Sequence, residues 1–263
     1  MSNASTSIAV IGGSGLYSLF DTAPSIIETP YGAVDVTTGV LAGRSVAFLP
    51  RHGVGHTAAP HLINYRANIW AIASLGVTAI VSTAAVGGVS PDYPPGSLVL
   101  ADQFIDRTWG RADTFYDQGS VQHLSSADPF CPALHDVAAE ALAGIAIPAG
   151  TVVVIQGPRF STRAESLWFR SAGAHIVNMT LYPEVPLASE LNIGTVNLAY
   201  VTDADAAPAE EELSSALVFA RFAEAQPRII AALESIVAAI PADYAPRELI
   251  APAEVAAVLG RSA

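Results

Sequence analysis

The chain has 263 residues, 51% of them hydrophobic and 14% charged, with a formal net charge of −12. That length and apolar share provide for a large buried core and argue against disorder. The acidic balance argues against a nucleic-acid or anionic-membrane surface, because both need basic patches, so any anion site must be built from a few local cations and backbone N–H groups.

The N-terminal MSNASTS has no basic segment followed by a long apolar run, so no signal peptide is expected. Residues 8–11 form a short β-type run that flows into Gly12-Gly13-Ser14-Gly15. Such a turn can present backbone N–H groups to an anion. A plain turn is the alternative, since no full dinucleotide fingerprint is present and no clear helix follows. Residues 34–39 and 45–49 read as paired strands around Gly43, and Pro50-Arg51-His52-Gly53 ends the second. Arg51 offers a fixed fork suited to phosphate, and His52 offers a second, switchable donor. His52 and His56 have the spacing of a helical metal pair, but glycines 53 and 55 and Pro60 argue against helix there. No metal is expected, and these histidines read as solvated or phosphate-side groups.

Residues 64–75 predict a largely buried helix stopped by Gly76. Residues 78–85 predict an apolar strand running into a second glycine turn at 87–88. A short strand follows at 97–101. Residues 106–131 read as a long, irregular, aromatic-rich loop of functional or interfacial character. It ends at Cys131, the only cysteine, so no intrachain disulfide forms and a reducing compartment is expected. A helix is predicted over 134–142. Residues 151–180 then compose one strand–turn–helix–strand unit, with Gly157-Pro158 at the turn and Arg159 and Arg163 around Ser161 and Thr162. It ends in Asn178-Met179-Thr180. A helix over 183–191 carries Pro183 in its first turn and Glu184 near its positive end. A strand over 195–201 ends in Thr202-Asp203-Ala204-Asp205, whose two carboxylates either face a ligand or cap a helix. A long helix is predicted over 210–240. The Pro-rich remainder reads as a tail.

Alternating strands and helices predict a single α/β domain over 8–240 between terminal tails. Its twisted, mixed but largely parallel sheet would be flanked by helices, with a small-molecule site along the carboxyl ends of the strands. No run approaches the length of a membrane span.

GGSG (12–15), PRHG (50–53), GPRFSTRAES (157–166), NMT (178–180) and TDAD (202–205) together resemble the trimeric purine nucleoside phosphorylases, in particular their 5′-methylthioadenosine phosphorylase branch. The resemblance covers roughly residues 8 to 240. It implies a homotrimer, or a dimer of trimers, that cleaves methylthioadenosine with inorganic phosphate and uses no metal or organic cofactor; the absent signal peptide and single cysteine add the expectation of a cytosolic location. The products would be adenine and 5-methylthioribose 1-phosphate. It assigns phosphate to Ser14, Arg51, His52, Ala84, Ala85 and Thr180. Met179 would lie against the ribose, Asn178 would contact the substrate, and Phe160 would stack near the base. Asp203 would serve purine N7, and Asp205 the 6-amino group. His123 resembles a residue that a neighbouring subunit lends to the 5′ end, and residues 213–217 would line the methylthio pocket. Ala84 departs from the polar residue of many relatives, and residues 206–216 match poorly.

The acid pair in TDAD favours a 6-aminopurine, whereas relatives that take 6-oxopurines carry Asn at the Asp203 position. A 6-oxopurine or methylthioinosine phosphorylase is the alternative enzyme. A non-catalytic nucleotide-binding module is the alternative of another class, and a dehydrogenase is suggested by GGSG alone. For Asp203 to donate a proton, burial beside Asp205 must raise its pKa.

Overall fold

The computed structural model describes residues 7–205 and 214–262. In chain order the elements are β1 (Ile8–Gly12), β2 (Ser25–Ile27), β3 (Val34–Leu41), β4 (Arg44–Pro50), α1 (Tyr65–Ser74), β5 (Ala79–Gly88), β6 (Leu98–Ala101), β7 (Gln103–Arg107), α2 (Pro132–Ala141), β8 (Ala146–Ile147), β9 (Thr151–Ile155), α3 (Arg163–Ser171), β10 (Ile176–Asn178), α4 (Leu181–Glu190), β11 (Gly194–Asp203), α5 (Ser215–Ala239) and α6 (Pro252–Leu259). They form one α/β domain around a mixed sheet in the order β2-β3-β4-β1-β5-β10-β9-β7, with β11 branching from β5, β6 beyond β11 and β8 beyond β6.

Strands β4, β1, β5 and β11 are mutually parallel and have apolar residues on both faces. Ile8 and Val10 of β1, with Val46 and Phe48 of β4, face the layer of α2 and α5. Ala9, Ile11, Ala47 and Leu49 face the opposite layer of α1, α4 and α6. Side chains alternate across a strand, so a helix layer on each face demands a nearly unbroken apolar run. That is why these strands were visible in the sequence as runs rather than as alternating patterns.

The helix starts follow local chemistry. Thr162 accepts from the Glu165 N–H at 3.2 Å, and Glu165 accepts from the Thr162 N–H at 2.7 Å, closing a capping box on α3. Asn64 caps α1 through the Ala67 N–H at 3.2 Å, and Ser214 caps α5 through Leu217 at 3.2 Å. The expected start of α5 at residues 210–213 lies outside the described residues.

One expectation changes. The stretch after Pro241, expected as a tail, carries α6 and packs on the domain. Trp70 Nε1 donates to the Val258 carbonyl at 3.1 Å, and Ile250 and Val258 are buried. The sheet is mixed and largely parallel, as expected, and the site lies along the carboxyl ends of its strands. Within it, strand β10 runs antiparallel to β5, pairing Val177 with Gly87. Asn178-Met179-Thr180 therefore arrives from the opposite direction and passes beside the last residues of β5. The site lies where these two strand directions meet.

Candidate active site

One cavity of about 350 Å³ opens at this meeting point. Its floor comes from the ends of four elements: the β1 turn (Ser14), the β4 end (Arg51 and His52), the outer half of β5 (Ala84 to Gly87) and the β11 end (Thr202 and Asp203). The β10 continuation adds Asn178, Met179 and Thr180, and the turn after β9 adds Pro158, Phe160 and Ser161. Every residue that the resemblance assigned to phosphate lines this cavity, as do Phe160, Asn178, Met179, Asp203 and Asp205. His123 does not; it is exposed in the loop after β7. Of the expected methylthio wall, Leu213 lies outside the described residues and Leu217 is not on the cavity. Ser215, within that expected stretch, does line the cavity, and Val218 and Phe219, one turn further along α5, line it with Ser215.

Arg51 is tightly held. Its Nε donates to Glu184 at 2.5 Å, its second terminal nitrogen to the same carboxylate at 2.7 Å, and its first to the Thr83 carbonyl at 2.8 Å. Both side chains are almost fully buried. Burial disfavours the guanidinium charge, but the charge and hydrogen bonds of Glu184 outweigh it and hold the group above its ordinary pKa. Glu184 was visible only as an acid near a helix start; its role depends on α4 folding back over β4. Thr83 also accepts from the Gly13 N–H at 3.0 Å, tying the glycine turn to β5. A Cβ on Gly13 would lie 2.6 Å from the Thr83 carbonyl oxygen, so this turn needs glycine for close approach.

His52 is buried, and its Nδ1 lies 2.9 Å from the Ala58 carbonyl. A carbonyl only accepts, so Nδ1 carries the proton. Burial lowers the His52 pKa to about 4, and the neighbouring Arg51 and His56 charges act the same way. His56 stacks on it at 4.2 Å, receives the Tyr17 hydroxyl region at 3.2 Å on Nδ1, and meets Phe219 edge-on. His56 also lines the cavity.

Asp203 stands across the cavity on a register shift of β11, where Val201 faces Val86 and Asp203 faces Gly87. The extra residue, Thr202, brings its hydroxyl 2.7 Å from Asp203 Oδ2, and the Asp205 N–H donates to Oδ1 at 2.8 Å. Burial pushes the Asp203 carboxyl above its ordinary pKa, and the Asp205 charge adds to that. The Thr202 and Asp205 hydrogen bonds and the Arg221 charge partly oppose it. The direction matches what proton donation at neutral pH requires. Asn178 Nδ2 and Ser161 Oγ are buried with no hydrogen-bond partner among the described residues, and both are placed to meet a ligand.

Arg159 and Arg163, prominent in the sequence, are not on this cavity. Arg159 pairs with Glu165 at 2.7 Å on the outer surface, and Arg163 is exposed. Among the described residues, no group of three or more His, Cys, Asp or Glu side chains is arranged to hold a metal ion.

The model of the phosphorylase superfamily matches residues 7–238. The chain is 52% identical over 203 residues to an S-methyl-5′-thioadenosine phosphorylase of Mycolicibacterium smegmatis, covering 76% of this chain and 77% of that protein. It is 46% identical over 250 residues to a purine nucleoside phosphorylase of Streptomyces coelicolor, covering 89% of each. Its structure resembles a methylthioadenosine phosphorylase from Schistosoma mansoni in complex with adenine, with a TM-score of 0.86, 32% identity and 97% of each chain covered. With an α/β sheet of this topology, a single cavity carrying a cation at one end and a buried acid at the other, and a match over nearly its whole length, the chain belongs to the phosphorylase superfamily.

Proposed function

We propose that the protein catalyses the phosphorolysis of 5′-methylthioadenosine, giving adenine and 5-methylthioribose 1-phosphate. The observation that carries this reading is the sharing of one cavity by Ser14, Arg51, His52 and Thr180 on one side and Asp203 on the other. Phosphate held at Ser14, Arg51, His52, Thr180 and the Ala84-Ala85 backbone faces the sugar. Met179 and Asn178 lie at the ribose, Phe160 at the base, and Asp203 with Asp205 at the purine N7 and 6-amino group. Breaking the N-glycosidic bond leaves charge on the purine, which a protonated Asp203 neutralises; acid assistance of this kind contributes ~10²–10⁴-fold. The cavity also positions the two reactants, an effect of up to roughly 7–11 kcal/mol. The apolar wall of Val218 and Phe219 suits a methylthio group better than a free 5′-hydroxyl.

The same reading makes the protein a cytosolic homotrimer, or a dimer of trimers, working without metal or organic cofactor. The exposed Trp109 and Val121, at 68% and 71% of their surface and in the same stretch of chain after β7 as His123, support a subunit contact there. In that trimer His123 reaches the 5′ end of a neighbour's substrate. The Streptomyces relative is named a purine nucleoside phosphorylase, and phosphorolysis of 6-oxopurine nucleosides is the second reading. Phosphate consumption with methylthioadenosine and with inosine, measured side by side, separates them. Preference for inosine overturns the base assignment, and no turnover of either nucleoside leaves a binding module.

A further inference from the structure

We infer that His52 is a general base that takes the proton of hydrogen phosphate as its oxygen bonds to C1′. The inference rests on the proposed phosphorolysis and assigns a step that the reading leaves open. At neutral pH the attacking dianion still carries one O–H, whereas the sugar 1-phosphate product, as a dianion, carries none. As the phosphate oxygen forms its bond to C1′, the C1′–N9 pair departs with the purine. Asp203 gives its proton to purine N7, and the O–H proton of the phosphate must leave separately. Nothing is oxidised or reduced, and one proton enters and one leaves the pair of side chains in each turnover.

The surroundings of His52 fit an acceptor. The Ala58 carbonyl takes the Nδ1 proton at 2.9 Å and so leaves the lone pair on Nε2. No protein partner at Nε2 exists among the described residues, and the ring lines the cavity beside Ser14, Arg51 and Thr180. The other basic groups at this end are otherwise engaged. Arg51 gives three of its five N–H groups to Glu184 and Thr83, has no lone pair to accept a proton, and never loses its own under working conditions. His56 stacks on His52 at 4.2 Å with the Tyr17 hydroxyl against its Nδ1. The charged and titratable groups facing His52 are therefore Arg51, itself neutralised by Glu184, then His56 and Tyr17, with Asp203 and Asp205 across the cavity. Burial keeps the imidazole neutral before the step. A dianion against it raises its affinity for a proton. Bond formation meanwhile lowers the phosphate's own affinity to that of a phosphate monoester, with a pKa of about 6. The proton thus moves to His52 as the ester forms and not before, and it returns to solvent when product leaves.

The test uses full-length wild type, His52→Asn and His52→Gln. Asparagine retains a donor for the Ala58 carbonyl, and glutamine retains an amide towards the cavity; neither takes a proton. With methylthioadenosine and saturating phosphate, wild-type kcat should trace a bell whose acid limb is His52 and whose basic limb is Asp203. The variants should lose ~10²–10⁴-fold in kcat, keep a phosphate KM close to wild type, and lack the acid limb. Variants that keep most of kcat and lose only phosphate affinity would make His52 a simple phosphate contact and overturn the inference. So would a wild-type kcat with no acid limb, which needs no variant at all. A wild type that consumes no phosphate with methylthioadenosine refutes the underlying phosphorolysis instead.

Discussion

Replacing Glu184 by glutamine strikes the part of the site most dependent on tertiary structure. The Arg51–Glu184 pair is bidentate at 2.5 and 2.7 Å, with the side chains 1% and 4% exposed. Glutamine preserves volume and one acceptor but removes the charge, leaving a buried guanidinium whose partners, the glutamine amide oxygen and the Thr83 carbonyl, are both neutral. Breaking such a pair from one side costs about 3–5 kcal/mol, mostly the uncompensated charge. At ~2–4 °C per kcal/mol for a domain of this size, the melting midpoint should fall by roughly 6–20 °C. Chemical unfolding followed by circular dichroism reads the free energy directly. The double replacement Arg51→Met with Glu184→Leu removes both charges at similar volume. It should recover most of the stability while abolishing phosphate binding, because net worth and cost of breakage differ for a buried pair. Arg159→Gln is the internal control: that pair is on the surface, where water screens it, and little change is expected. If Glu184→Gln unfolded like the control, Arg51 would not be a buried charge held by Glu184, and the account of the phosphate end would fail.

Three further outcomes are expected. Asp203→Asn should lower kcat on methylthioadenosine by ~10²–10⁴-fold with a smaller change in KM, read by adenine release; retention of most of kcat refutes proton donation. Gly87→Ala would place its Cβ 2.9 Å from Asp203 Oδ1 and 3.1 Å from Asp205 Cβ, so it should cost about 1–3 kcal/mol by overpacking and lower kcat; unchanged kinetics would show that Asp203 need not stand where β11 puts it. His52 has a folded pKa of about 4 against an ordinary value of about 6.5. The unfolded chain therefore binds the proton first, and stability falls as pH drops from about 6.5 to about 4, by up to about 3 kcal/mol from this group. Unfolding free energies of wild type and His52→Asn, compared across that window, should converge at acid pH; parallel curves would show that His52 is not held neutral.

The apolar runs at residues 8–11 and 78–85 announced central strands because β1 and β5 are covered on both faces, and no other local pattern suits that position. Thr162 and Glu165 announced the start of α3 because a capping box is completed within four residues. The oxyanion residues, Asp203 and Asp205 were legible for a similar reason: each stands in a short motif at the end of a strand. Strand β7, the two-residue β8 and helix α6 were not legible, since each depends on the surface it lies against rather than on its own composition.

Sequence order alone determined which segments become strands and helices in the centre of the domain, and which motifs carry chemistry. Tertiary structure alone decided that β10 approaches β5 from the opposite direction, that Glu184 closes on Arg51 from 133 residues away, and that Arg159 and Arg163 turn outward. The physical reason is range. Propensity, capping and apolar period act over a few neighbouring residues, whereas burial of a charge and its partner is settled only when separate elements pack and exclude water between them.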